Sequence, residues 1–313
     1  MKGIELCERF FYEYGAPMLH GQFSHIEPYL AVGLVGSGSE CFGYDDEISR
    51  DHDFEAGFCI FLPDEDIVSR RVEFELERAY SRLPRQFMGY RRSVVSPVGG
   101  NRHGVIRMSK FFDQKTGRAD AELSLRDWFF VPEQSLAEAT NGKVFFDNYG
   151  RFSRIRDRIS YLPEDVRLKK LAGNLLLMGQ SGQYNYARCV SRGETAAAQL
   201  AVGEFVRSAL NVIFLINRRY APYYKWAFRT LSESELLSEL YKPLEYLISS
   251  GNSAEDFARK SEIIERICAD TVAALLSQGL ISTQLKDLEP VAYEVNGGIK
   301  NAEIRNLHIL YAV

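Results

Sequence analysis

Two aspartates one residue apart, Asp51 and Asp53, precede an apolar run, Phe58-Cys59-Ile60-Phe61-Leu62. In a strand, successive side chains point to opposite faces, so a strand over 51–62 puts both carboxylates on one face and His52 on the other. Two carboxylates that close repel unless a cation sits between them. Mg²⁺, or Mn²⁺ in its place, is the expected cation, because hard divalent ions take oxygen ligands. Upstream, a second apolar run over 31–35 leads into Gly36-Ser37-Gly38-Ser39. Such a turn exposes backbone N–H groups that can cradle a phosphate, with the Ser39 hydroxyl expected on the terminal phosphates. Metal-binding carboxylates beside a phosphate cradle are the equipment of phosphoryl or nucleotidyl transfer.

Other chemistries lack their residues. The glycine pattern is not a dinucleotide fingerprint, since Cys41 stands where the last glycine belongs, and no Lys-Ser/Thr follows to make a P-loop. No Gly-x-Ser-x-Gly elbow and no His-Glu-x-x-His zinc motif occurs. Glu40, Asp45, Asp46 and Glu47 read as a solvated acidic loop from which one acid could assist the metal.

Gly38-Ser39, then Gly43, then Asp51-His52-Asp53 resembles the Gly-Ser…Asp-x-Asp signature of polymerase-β-like nucleotidyltransferases. The wider wording from Gly33 to Phe54 resembles more closely a bacterial branch of these proteins known only as a domain of unknown function. Leu125-Arg126-Asp127-Trp128 with Pro132-Glu133-Gln134 resembles the same branch, as does the run from Arg218 to Trp226. The resemblance implies an α/β (α+β) mixed-sheet nucleotidyltransferase domain followed by an all-α helical bundle. It implies Mg²⁺-dependent transfer of a nucleoside monophosphate, AMP from ATP or the equivalent from another nucleoside triphosphate, to a hydroxyl acceptor. A small molecule is the expected acceptor rather than protein or RNA, and Asp51 and Asp53 are the expected catalytic metal ligands.

Many enzymes of that fold place a third carboxylate on a later strand. The candidate strand here, over 104–108, has no acid. Asp113, Glu122, Asp127 and Asp147 are the substitutes, each expected to be structural. The missing acid keeps open a nucleotide-binding protein without turnover; a helical interaction scaffold is the third alternative.

Arg218, Arg219 and Lys225 flank Tyr220, Pro222, Tyr223, Tyr224 and Trp226. One reading is a helix C-terminus with cations at its negative end, followed by aromatic packing. The other puts Lys225 on a triphosphate and Tyr223 on a base. Arg188 and Arg192 form a weaker candidate pair.

These residues need elements to hold them. Helices are predicted over 2–15, stopped by Gly15-Ala16-Pro17, over 64–82, and over 132–140, stopped by Asn141-Gly142. Strands are predicted to end the stretch 27–35 and over 51–62, 105–108 and 143–147, with loop over 88–103, a turn over 113–117 and a helix start or a short apolar element at 123–130. After Gly150 the periodicity is helical throughout, over 151–160, 164–181, 193–219, 232–249, 253–278 and 284–312. The expected domains are therefore 1–150 and 151–313.

Composition fits this. The 313 residues are 46% hydrophobic and 26% charged, which suits one large or two ordinary globular domains. A net charge of −4 supplies no basic field to recruit nucleic acid. Five scattered cysteines without Cys-x-x-Cys point to reduced thiols and a cytoplasmic protein. No leader pattern and no uninterrupted apolar run of membrane length is seen, so no membrane partner is expected. The oligomeric state is open.

Overall fold

The computed structural model describes residues 1–47, 55–92, 103–311 and 313. The chain divides into two compact units, Met1–Asp127 with Val131–Ser160 and Trp128–Phe130 with Tyr161–Val313.

The first unit opens with α1 (Gly3–Phe10), a π-helical turn (Phe11–Gly15) and α2 (Ala16–Phe23) in one unbroken helical run. The expected stop at Gly15-Ala16-Pro17 does not occur. Pro17 falls in the first turn of α2, directly after the wide π turn. A wider turn eases the clash between a proline ring and the carbonyl of the preceding turn, so the helix continues. The remaining elements are β1 (Ala31–Leu34), β2 (Cys59–Leu62), α3 (Arg70–Ser81), β3 (Gln86–Phe87), β4 (Tyr90–Arg91) and β5 (Gly104–Arg107), then α4 (Met108–Thr116), the first half of α5 (Leu125–Phe130), α6 (Glu133–Thr140), β6 (Lys143–Asp147) and α7 (Arg151–Arg158).

The main sheet is mixed, in the order β5-β2-β1-β6. β1 runs antiparallel to β2 and β6, and β2 runs parallel to β5. The C-terminal end of β1 therefore lies at the same end of the sheet as the starts of β2, β5 and β6. All four residues of β1 and of β2 are buried, as suits strands covered on both faces. One face packs Phe10, Phe11 and Leu6 onto Val32, Leu34 and Ile60. On the other, Phe61 stacks on Phe152 at 4.0 Å between centroids and meets Phe111 edge-on. Each such ring contributes roughly 1.5–3 kcal/mol by burial.

Several boundaries differ from expectation for identifiable reasons. The strand predicted from 51 begins at Cys59, because β1 leaves the sheet after Leu34 and β5 starts only at Gly104. Residues 48–54 lie outside the described residues. The helix predicted from 64 begins at Arg70, capped by the Ser69 hydroxyl accepting the Val72 N–H, while 64–68 forms a turn. The turn expected over 113–117 is the last turn of α4, ended by Gly117 in the left-handed region. The described part of the expected loop 88–103 holds the turn and second strand of the β3-β4 hairpin, whose strands are too short to show a period. The contact division falls after Ser160, one helix beyond Gly150, since Phe152 ties α7 to the sheet.

The second unit continues from α8 (Glu164–Met178) through a π-helical segment (Gly179–Tyr186) into α9 (Ala187–Ser191). It then comprises α10 (Thr195–Ile216), α11 (Ala227–Ser232), α12 (Tyr241–Ser249), α13 (Ala254–Ser277), α14 (Leu288–Gly297) and α15 (Ala302–Asn306). No strand occurs after Asp147 among the described residues. α10 is long and apolar enough to cross a membrane by length and composition, and 61% of that window is buried within the protein, as in a core helix. Glu204 and Arg207 interrupt its apolar run, which is why no uninterrupted stretch announced it.

Candidate functional site

The Gly-Ser turn leaves β1 where three other strands begin, and residues far along the chain hold it. The Asn141 side chain clamps Gly36 from both sides: its Oδ1 accepts the Gly36 N–H at 2.9 Å and its Nδ2 donates to the Gly36 carbonyl at 2.8 Å. The next residue, Gly142, donates its N–H to the Cys41 carbonyl at 2.9 Å. Gly142 comes so close that a Cβ there would lie 2.0 Å from the Leu34 carbonyl oxygen. Behind this link, the Arg156 guanidinium donates to the carbonyls of Ala139, Thr140 and Asn141. Burial lowers its pKa, yet a guanidinium stays charged.

Gly36 and Gly38 have φ of 116° and 136°, in the region L side chains rarely enter, which explains the alternation of glycine with serine. The Gly36 N–H is given to Asn141, so this residue supplies shape rather than a donor. Ser37, Gly38 and Ser39 are half-buried, and their N–H groups meet no acceptor among the described residues. The Ser39 carbonyl accepts from Phe42 and Tyr44, which closes the loop beneath the turn. The Ser39 hydroxyl makes a long contact, 3.5 Å, to Glu40 Oε2.

The loop acids are not uniformly solvated. Glu40 and Asp45 are buried, whereas Asp46 and Glu47 are exposed. Asp45 Oδ2 accepts the Gly3 N–H at 2.9 Å, an anion at the positive end of α1, and the Lys2 amine lies 3.7 Å from its other oxygen. Asp51, His52 and Asp53 lie outside the described residues. Among the described residues, no group of three or more His, Cys, Asp or Glu side chains is arranged to hold a metal ion.

β5 lies beside β2 and carries no acid. Its last residue, Arg107, binds Glu73 at 2.6 Å and the carbonyls of Pro63 and Val68 at 2.8 Å, at the far end of the sheet. Asp127 forms a capping box with Ser124 at the start of α5, and the Ser124 and Arg118 hydrogen bonds lower its pKa. Asp147 accepts the N–H groups of Arg151 and Ser153 at the start of α7. Asp113 and Glu122 are exposed.

Sequence reasoning missed a pair at the entrance to β5. His103 Nδ1 lies 3.1 Å from Glu55 Oε1. A signal existed: Glu55 extends the alternation begun by Asp51 and Asp53, and His103 immediately precedes a strand.

The second candidate stretch is built differently. Arg218, at a φ of 51°, pairs with Glu164 at 2.9 Å. Arg219 reaches the Glu233 carbonyl at 3.2 Å and its carboxylate at 3.7 Å. Tyr220 is buried, 5.5 Å from the Tyr161 ring. Tyr223 is exposed with its ring 4.3 Å from that of Tyr224, and their hydrogen bond raises the Tyr223 pKa. Lys225 is exposed, its amine 4.6 Å from the Trp226 ring centroid. Arg188 lies 4.7 Å over the Tyr184 ring. In the same unit Lys169 and Lys260 are wholly buried, and each ammonium donates to three oxygen atoms.

Among curated proteins none matches this chain. A solved structure of a nucleotidyltransferase-like protein from Exiguobacterium sibiricum is similar at 12% identity and a TM-score of 0.36, over 91% of this chain and 80% of that one. A family model described as "Domain of unknown function (DUF4037)" matches residues 128–227. The matched stretch takes in Trp128, Pro132-Glu133-Gln134 and the run from Arg218 to Trp226, and leaves out the Gly-Ser turn. That stretch, about a third of the chain and including parts of both units, is where the chain is similar to the DUF4037 family.

Proposed function

We propose that the protein is a nucleotidyltransferase that moves a nucleoside monophosphate, AMP from ATP, to a hydroxyl group of a small-molecule acceptor. The observation that carries this reading is the Gly-Ser turn. Two glycines at positive φ shape it, and Asn141 locks the first of them, Gly36, so the N–H groups of Ser37, Gly38 and Ser39 that follow are ordered before any ligand arrives. Donors fixed in advance bind phosphate without a further ordering penalty. Asp51 and Asp53 are the residues proposed to hold Mg²⁺, or Mn²⁺, which would offset charge on the triphosphate. Lys225 and Tyr223 are proposed as further nucleotide contacts. The same features suit a nucleotide-binding protein without turnover, and the absence of an acid on β5 favours that second reading.

Thermal melting with ATP and Mg²⁺ tests the binding step. Wild type should gain stability only when both are present, by mass action. Asp51→Asn and Asp53→Asn should each lose most of that gain while melting no lower than wild type without ligand. Full gain in both variants would remove the two carboxylates from the metal site.

A further inference from the structure

His103 pairs with Glu55 through one ring nitrogen and keeps the other unmet among the described residues. The His103 ring is 11% exposed and lies against Gly57, where a Cβ would come within 2.6 Å of it. Nδ1 faces the Glu55 carboxylate at 3.1 Å, and an ionised carboxylate only accepts, so Nδ1 carries the proton. In the neutral ring Nε2 is then a lone pair, and it is buried with no hydrogen-bond partner among the described residues. A buried acceptor left unmet destabilises a fold by about 1–3 kcal/mol, so a histidine kept only for packing would have this nitrogen satisfied.

The pair stands at the right end of the sheet. His103 directly precedes β5, whose first residue pairs with Cys59 at the start of β2, and Cys59 pairs across β2 and β1 with Gly33. Cys7 lies against the pair. Its thiol donates to the Glu55 carbonyl at 3.4 Å, and its pKa is pushed up to about 12, first by burial and then by charges that include Glu40 and Glu55. Glu40 in turn packs its carboxylate against Gly38, where a Cβ would lie 2.4 Å from it.

Resting on the nucleotidyl-transfer reading above, we propose that His103 Nε2 accepts the proton of the attacking hydroxyl, with Glu55 as the residue that positions its ring. This supplies the base missing from β5. The hydroxyl oxygen bonds to the α-phosphorus of the nucleoside triphosphate as the bond from that phosphorus to the bridging oxygen breaks. Pyrophosphate leaves with that electron pair. The hydroxyl proton passes to Nε2, the imidazolium faces the Glu55 carboxylate, and the proton then returns to solvent. Base work suits the nitrogen better than Mg²⁺ ligation, because that ion takes oxygen.

The test is pyrophosphate release from ATP and Mg²⁺ with glycerol in water as the acceptor, on wild type, H103N and E55Q. H103N should keep the wild-type melting gain with ATP and Mg²⁺ yet release pyrophosphate about 100-fold or more slowly, the usual effect of losing a general base. E55Q should lose a smaller factor. Histidine ¹⁵N spectra give a readout apart from turnover, and the five histidines make assignment by the H103N spectrum direct. The His103 ring of wild type should be protonated at Nδ1 and bare at Nε2. Should H103N fail to fold, the E55Q rate and the wild-type spectrum decide. Release at the wild-type rate by H103N, no effect of E55Q, or a proton on Nε2 would overturn the proposal. Wild type that gains stability but releases no pyrophosphate would also overturn the base while leaving the nucleotide-binding reading. Wild type with no melting gain would bring down the function reading itself.

Discussion

The turn at 36–39 and the run at 218–226 were both legible in the sequence as contacts for one triphosphate, and they are built in opposite ways. The turn is held by Asn141, 105 residues further on, and by Arg156 behind it. Its donors are fixed by side chains that the first unit's fold brings in. In the run, Arg219 pairs with Glu233, 14 residues away, and Lys225 lies on its own neighbour Trp226. Arg218 and Tyr220 reach farther, to Glu164 and Tyr161. Remote buttressing fixes geometry before a ligand binds, while exposed local pairs are worth little and rearrange readily. A cation-rich motif therefore says less about a phosphate site than a glycine turn with a distant clamp.

The sharpest break in this comparison is Gly142→Ala. A Cβ at a φ of 67° and 2.0 Å from the Leu34 carbonyl forces β6 and the turn apart. Left-handed strain alone is about 1–2 kcal/mol, and the backbone clash should bring the loss to roughly 3 kcal/mol or more. Thermal melting should show a large fall, with the gain from ATP and Mg²⁺ lost as well. A variant that melts like wild type would mean that the turn is not held from this side.

Asn141→Ala should come next. It strips the Gly36 N–H and carbonyl of their partners at a buried position, about 1–3 kcal/mol for each group left unmet. If the clamp orders the donors, the nucleotide-induced gain should shrink by more than the loss of fold stability explains. Titrating ATP at a temperature where the variant is fully folded separates the two. Unchanged affinity there would leave Asn141 a structural residue and weaken the phosphate reading of the turn.

How far the sequence carried depends on which forces it displays. β1 and β2 were visible because their burial on both faces leaves continuous apolar runs, and the helical second unit was visible because its periodicity repeats. The start of β2 was not, since a strand ends where its partners end, and the partners Gly33 and Gly104 are remote in sequence. Asn141-Gly142 was read as a helix stop, which it is. Its second task, clamping the turn, depends on a strand pairing that no local pattern reveals. Asp45 looked like one of several loop acids until the fold brought the start of α1 onto it. Glu55 and His103 were missed because they meet only when β5 lies beside β2.

Arg218→Gly probes the other side of the comparison and should have the opposite sign to Gly142→Ala. Relief of left-handed strain, about 1–2 kcal/mol, outweighs an exposed ion pair to Glu164 worth under about 1 kcal/mol. The variant should melt at or slightly above wild type. A clear fall would mean that this pair does hold the run, and that the two regions are less different than described.

The smallest expected effect on stability, and the most informative for the run, is Lys225→Ala. The side chain is exposed and its one described contact is with Trp226, so melting without ligand should change by no more than about 0.5 kcal/mol. Its proposed phosphate contact predicts a separate effect. A lysine that meets a triphosphate contributes a charge-assisted bond, so ATP affinity should fall by roughly 1.5–3 kcal/mol. That loss should be greatest at low salt, where an exposed cation is least screened. Asn141→Ala and Lys225→Ala then form a pair: the first should lower both stability and affinity, the second affinity alone. If Lys225→Ala leaves affinity unchanged at low salt while Asn141→Ala lowers it, the nucleotide is held by the turn and the run is surface. If the reverse holds, the cations carry the site and the clamp is only a fold element.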